Sequence, residues 1–330
     1  MIWLHIGMPK SGSSSLQGYL ANETDVLDKG NIRFVQTGRV GDRKVPLPSH
    51  NLLARQMHSG WKNIGPSLFD AYVDELRNFS GKSRVISAEM FYGQRLARLQ
   101  EKIFSRIDEP VNVVIYLKRF SDFLDSDYKQ KVKKGRDLVS AEHYARSAIK
   151  AAETRPEYMN YALMLKQIAA DIPNAVIHPR LFLRDQLVGG DIITDFLNLL
   201  GVPLEAVKLP EKRSNVSLSR VSSEALGLFA SKEGGVNEWA HRRIDIALQS
   251  SSSGDFFGKG DVFLPDEARH LDELLEDRNA GLLADYFPSR DRLFPKVEDY
   301  RGKYLRGDPS ELSRFRDTVR EILKIRGRAK

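Results

Sequence analysis

Ile2-Trp3-Leu4-His5-Ile6-Gly7-Met8-Pro9-Lys10-Ser11-Gly12-Ser13 is the stretch that decides the fold. Five mostly apolar residues suit a short buried strand, and a glycine turn follows at once. The turn has the look of a phosphate cradle with its lysine displaced. A nucleotide P-loop reads G-x-x-x-x-G-K-S/T. Gly7 and Gly12 keep that glycine spacing, but Ser13 and Ser14 stand where the lysine and the metal-holding hydroxyl belong. The lysine sits inside the loop, at Lys10. Backbone amides and a helix N-terminus still hold an anion. The pattern therefore points to a phosphate-bearing donor other than ATP with magnesium.

Working outward, Ser13, Ser14 and Ser15 supply hydroxyls at the start of a helix carrying Leu16, Tyr19 and Leu20 at helical spacing. Further β-rich apolar runs fall at 32–36, 84–88, 111–117 and 175–178. Helical patterns separate them, at 67–79, 96–107, 120–132, 158–172 and 192–200. This alternation predicts an α/β fold, a mainly parallel sheet covered on both faces. Past about Pro203 the strand signals fade, and helices are expected at 218–230, 236–248 and 265–284. We thus expect a core over 1–205 and, over 206–330, an α-helical continuation of the same domain. The segments 37–49 and 250–260, rich in Gly, Pro or Ser, read as loops.

Composition bounds the class. The chain has 330 residues, 41% hydrophobic and 29% charged, as in a soluble globular protein. No apolar run approaches the ~20 residues of a membrane span. The first strand begins at Ile2 with no basic n-region before it, so no signal peptide is expected. Zero cysteines exclude disulfides, thiolate metal sites and cysteine nucleophiles. A cytoplasmic protein is the expectation. Most of the net charge of +7 lies in residues 296–330, which hold 11 Lys/Arg against 6 Asp/Glu. With the rest nearly balanced, a general nucleic-acid surface is not expected. Residues 309–326 suit one basic amphipathic helix, with Asp308 as cap and Pro309 in its first turn. It would dock on its own domain, mediate dimerisation, or contact an anionic surface peripherally.

A second anion site is suggested by the strand Val111–Leu117, which ends in Lys118 and Arg119. Cations at the carboxyl end of a strand stand at the ligand-binding edge of a parallel sheet. Ser126 follows on the next helix.

The two sites together resemble the sulfotransferase family, most closely its bacterial branch. Met8 to Gln17 is similar to the family's 5′-phosphosulfate loop, usually P-K-S/T-G-S/T-S/T. The strand, Lys118-Arg119 and Ser126 resemble its 3′-phosphate site, an arginine at the strand end and a serine eight residues on. In that register Lys118 takes the arginine's place, a departure, because lysine is a point charge rather than a fork. Arg119 would share or take over the role. Residues 178–201, Asn215 to Ser219, and Asp277 to Phe287 resemble later family segments.

The resemblance implies transfer of a sulfuryl group from 3′-phosphoadenosine 5′-phosphosulfate (PAPS) to a hydroxyl or amine, with no metal. It implies a three-layer α/β/α, P-loop NTPase-like fold with a C-terminal helical extension. Lys10, Ser11, Gly12, Ser13, Ser14 and Ser15 would bind the 5′-phosphosulfate. Lys118, Arg119 and Ser126 would bind the 3′-phosphate, and Lys212, Arg213 and Asn215 would close over the donor. The acceptor class implied is a carbohydrate or glycolipid.

Transfer to a hydroxyl benefits from a general base. Related enzymes use His or Glu after the first βα unit. His50, in Pro48-Ser49-His50-Asn51, is the first candidate, and Glu89, closing the strand 84–88, is the second. His5, inside the first strand, reads as a core histidine. The alternative class is a P-loop-like nucleotide-binding protein, either a kinase or a non-catalytic binding module. A kinase is disfavoured by Ser13 in the lysine position. Ser126-Asp127-Tyr128-Lys129 matches S-x-x-K, but its S-D-N and K-T-G companions are absent. The seven histidines show no H-E-x-x-H pairing for zinc.

Overall fold

A computed structural model describes residues 1–39, 47–57, 67–133, 139–207, 209, 218–232, 262–296 and 317. Its contacts divide the chain into two interleaved units. One comprises Met1–Lys118, Asn160–Glu211 and Asn279–Phe294. The other comprises Arg119–Met159, Lys212–Arg278 and Pro295–Lys330.

The first unit is built on five parallel strands: β1 (Ile2–Ile6), β2 (Ile32–Phe34), β3 (Ser83–Ala88), β4 (Val111–Leu117) and β5 (Ala175–Leu181). Their order in the sheet is β2-β3-β1-β4-β5. Every residue of β1 and β4 is buried. Successive side chains point to opposite faces, so both faces of these central strands are covered. That is why they read as continuous apolar runs rather than alternating ones. On one face Trp3, Val85, Val114 and Tyr116 pack against helices α1 (Ser13–Asn22) and α9 (Ile192–Leu199). Burying each such aliphatic or aromatic side chain contributes roughly 1.5–3 kcal/mol. The other helices of this unit are α2 (Thr24–Lys29), α3 (Asn51–Gln56), α4 (Ser67–Asn78), α5 (Ala97–Lys102), α8 (Tyr161–Asp171) and α12 (Ala280–Tyr286).

Two strand ends differ from expectation for identifiable reasons. β2 stops at Phe34 because the Gln36 and Thr37 amides turn to the Glu75 carboxylate, at 2.9 and 2.8 Å. β5 continues through Pro179 to Leu181, paired, among the described residues, with β4 on one side only. A proline is tolerated there because an edge strand needs one ladder, not two. The expected helix over 96–107 is two pieces, α5 and a 3₁₀ turn at Phe104–Arg106.

The described helices of the second unit are α6 (Phe120–Lys133), α7 (Ala141–Thr154), α10 (Arg220–Lys232) and α11 (Pro265–Arg278). Its interior holds charges as well as apolar groups. Lys129 Nζ meets Asp125 at 2.9 Å, and Asp125 also accepts the Val262 N–H at 3.1 Å. Ser121 donates through its N–H and its Oγ to Asp272, at 2.8 and 2.7 Å. The helix expected over 265–284 ends at Arg278, whose guanidinium donates to the carbonyls of Tyr158 and Ala152. Asn279 interrupts it, and α12 follows. The helix expected over 236–248, the loop over 250–260 and the tail helix apart from Asp317 lie outside the described residues. Among the described residues no helix is long and apolar enough to cross a membrane.

Candidate functional site

Connections leave β1 and β4 in opposite directions, toward β2 on one side and β5 on the other. The gap between the carboxyl ends of two such neighbouring strands is the switch point where parallel sheets take ligands. The loop after β1 and Lys118 after β4 both sit at this edge.

The loop is folded around one carbonyl. Met8 C=O accepts Ser11 Oγ–H at 2.7 Å, Ser13 Oγ–H at 3.3 Å and the Ser11 N–H at 3.3 Å. Ser11 and Ser13 are buried and spend their hydroxyls inside the loop, while Ser14 and Ser15 are exposed in the first turn of α1. Lys10 is exposed and left-handed, with φ 64°. That conformation is costly for a residue with a Cβ. Gly12 is also left-handed, with φ 80°, and a Cβ there would lie 3.1 Å from Ile192 Cγ2. Gly7 is needed for space instead. Its Cβ would stand 2.7 Å from Ser13 Oγ and 3.0 Å from Glu89 Cα. Gly12 caps α1 without a side-chain bond, and its C=O accepts the Ser15 N–H at 3.0 Å.

Lys118 is tied to this loop through its backbone. Its N–H points at Met8 Sδ, 3.4 Å away, and its C=O accepts the Tyr161 hydroxyl at 2.8 Å. Its side chain is half-buried. Glu89, also half-buried, opens a 3₁₀ turn after β3 beside Gly7. The Gly7 N–H donates to Ala88 C=O at 3.0 Å, which fixes the two chain segments together. Lys10, Lys118 and Glu89 thus belong to strand ends that are neighbours in the sheet.

His50 does not fit its expected role as base. It is fully buried, edge-on to Phe34. Nδ1 accepts the Ser87 N–H at 3.0 Å, and Nε2 lies 2.8 Å from the Val35 carbonyl. A carbonyl cannot donate, so Nε2 carries the proton. The 3.2 Å approach of Nδ1 to the Ser87 carbonyl is then a contact without a proton. Burial pushes the imidazole down to about 4. Both nitrogens are spent on the backbone, and the ring acts as a neutral strut. His5 is a core histidine, with Nδ1 2.8 Å from Ser87 Oγ, and burial pushes it down to about 3.

In the second unit Arg119 is 1% exposed, and its guanidinium lies 3.7 Å from Asp272 and 3.9 Å from Asp122. It belongs to a buried charge cluster rather than to a solvent-facing phosphate site, which corrects the expectation that it shares the work of Lys118. Burial raises the Asp272 carboxyl to about 7. Ser126 Oγ donates to the Asp122 carbonyl one helical turn back, at 2.8 Å. Lys212, Arg213 and Asn215 lie outside the described residues. Among the described residues no group of three His, Cys, Asp or Glu could hold a metal ion.

Met8, Tyr161 and Ser87 organise the site without having been singled out in the sequence. The available signal was Ser87 itself, a polar residue among the apolar Val85, Ile86 and Ala88 near the end of a buried strand. No family model, curated protein or solved structure matches the chain.

Proposed function

We propose that this protein is a PAPS-dependent sulfotransferase of the three-layer, P-loop-like kind, acting on a hydroxyl of a carbohydrate or glycolipid acceptor. The observation that carries the reading is the loop at 7–13. It leaves the central strand at the switch point and presents an exposed lysine in a costly left-handed conformation beside the start of α1, where the N-cap is a glycine. Strain held at an exposed loop residue is common where chemistry needs that side chain.

In this reading the α1 amides and the exposed hydroxyls of Ser14 and Ser15 hold the 5′-phosphate. Lys118 holds the 3′-phosphate. Lys10 meets the bridging oxygen between phosphate and sulfate. Glu89, standing beside the loop, is the base in place of His50. It takes the proton of the acceptor hydroxyl as that oxygen bonds to sulfur. The bond from sulfur to the bridging phosphate oxygen breaks, and the electron pair leaves on adenosine 3′,5′-bisphosphate. Lys10 offsets the charge growing on that oxygen. No metal is used.

The test is release of adenosine 3′,5′-bisphosphate from labelled PAPS, followed with a panel of glycan acceptors. Glu89→Gln keeps the shape and removes the base, and turnover should fall about 10²–10⁴-fold. Binding of the bisphosphate, measured by calorimetry, should persist. Full turnover by the variant, or no acceptor-dependent release by the native chain, overturns the reading.

A further inference from the structure

One polar cluster lies inside the first unit immediately beneath the loop. Ser87, fully buried in β3, stands two residues before Glu89 and pairs in register with His5, two residues before Gly7. Its Oγ lies 2.8 Å from His5 Nδ1 and accepts Gln17 Nε2–H at 3.0 Å. Its N–H donates to His50 Nδ1, and its C=O accepts the His50 backbone N–H at 2.8 Å. A single serine therefore joins β1, α1, β3 and the start of α3. Gln17 is also buried, as are both histidines.

The cluster is expensive for a core position. Among the described residues the buried His5 Nε2 has no hydrogen-bond partner, and the imidazole lies 5.9 and 5.6 Å, centroid to centroid, from the rings of Tyr116 and Phe196. An unpaired buried polar atom costs free energy that an apolar residue would not. Ser87 Oγ has only one proton to give, and it already accepts from Gln17. If that proton goes to His5 Nδ1, the His5 proton sits on the unpaired Nε2. If His5 Nδ1–H donates instead, the serine proton is left over. Neither tautomer satisfies the cluster, so packing stability does not explain it.

Its position does. One residue layer above, the chain ends of β1 and β3 become Gly7 and Glu89, held together through Gly7 N–H and Ala88 C=O. We infer that Ser87 is a positioning residue, which fixes the spacing of the 7–13 loop and Glu89 by holding His5, Gln17 and His50 at once. The inference rests on the sulfuryl-transfer reading, in which Glu89 and Lys10 serve opposite ends of one displacement. A misplacement of ~1 Å in such an arrangement costs about 10²-fold in rate.

The hydrogen-bond pattern supplies a discriminating test. His5 uses only Nδ1, and an asparagine amide reaches that position whereas a glutamine amide extends past it. Ser87→Ala, His5→Asn and His5→Gln are compared in the full chain. Three measurements are made: transfer kinetics with labelled PAPS, calorimetric affinity for adenosine 3′,5′-bisphosphate, and ligand-free hydrogen exchange. Ser87→Ala and His5→Gln should lower kcat by roughly 10–100-fold while acceptor KM and bisphosphate affinity stay within about threefold. Exchange should quicken at 7–13 and 88–92 and stay unchanged in β4. His5→Asn should behave as the native chain. Equal behaviour of His5→Asn and His5→Gln, or unchanged exchange at both segments in Ser87→Ala, overturns the inference. If Ser87→Ala does not fold, the histidine pair decides. If the native chain transfers no sulfuryl group, the functional reading fails, and the exchange comparison alone decides whether Ser87 positions the loop.

Discussion

Lys10 is where conformation and chemistry pull apart. Its φ of 64° costs any residue with a Cβ roughly 1–2 kcal/mol. Glycine escapes that cost, so Lys10→Gly should be more stable than Lys10→Ala by about 1 kcal/mol in urea denaturation. Both variants should lose about 10²–10³ in turnover, because neither offsets charge on the leaving oxygen. Equal stability of the two would mean that the loop relaxes out of the left-handed form. Lys10 was legible in the sequence because glycine spacing announces a loop whatever lies around it. His50 and Arg119 were not, because their roles are set by burial. Phe34 and Ser87 enclose the imidazole, and Asp272, far along the chain, stands beside the guanidinium. Nothing within a few residues of either side chain reports those neighbours.

At the scale of elements, Asp195 fastens α9 to the sheet. It is fully buried and accepts from the Tyr116 hydroxyl at 2.9 Å, from Arg180 Nε at 3.0 Å and from the Val188 N–H at 3.0 Å. Tyr116 lies in β4 and Arg180 in β5, so one carboxylate ties three elements. Asp195→Asn leaves the half-buried Arg180 without its charge partner and should cost roughly 3 kcal/mol. Tyr116→Phe removes one hydrogen bond to a charged group and should cost about 1.5 kcal/mol. Urea titration of the two checks the order, and a larger loss for Tyr116→Phe would show that the phenol, not the carboxylate, is the fastener. The central strands β1 and β4 were legible because strands buried on both faces need apolar runs, which few other elements produce. Helix α7 was not. Its buried stripe is Ala141, Ala145, Ala148 and Ala152. Alanine buries too little surface to stand out, although the spacing is helical and Ser140 caps the start by accepting the His143 N–H at 3.2 Å.

For the whole molecule, acid acts on the two units with opposite signs. In the first, His5 and His50 titrate at about 3 and about 4 when folded, against 6.5 in the unfolded chain. Below 6.5 the unfolded state binds more protons, so this contribution to stability is complete above 6.5 and is lost as pH falls toward about 4. Each histidine contributes a slope of about 1.4 kcal/mol per pH unit within that window. In the second unit Asp272 titrates at about 7 when folded, against 3.8 unfolded. Its neutral form is favoured by folding, so that contribution is complete below 3.8 and is lost as pH rises through about 7. Between about pH 4.5 and 6.5 the first unit should therefore gain stability with rising pH while the second loses it. Hydrogen exchange converted to opening free energies separates the two, with β1 and β3 reporting on one and α6 and α11 on the other. A flat response in α6 and α11 would mean that Asp272 is already ionised at the acid end of the window, with Arg119 outweighing the cost of its burial. Replacing Asp272 by Asn should then leave the slope of α6 and α11 unchanged. If the slopes do oppose, the same substitution should flatten the second unit's response and leave that of β1 and β3 untouched.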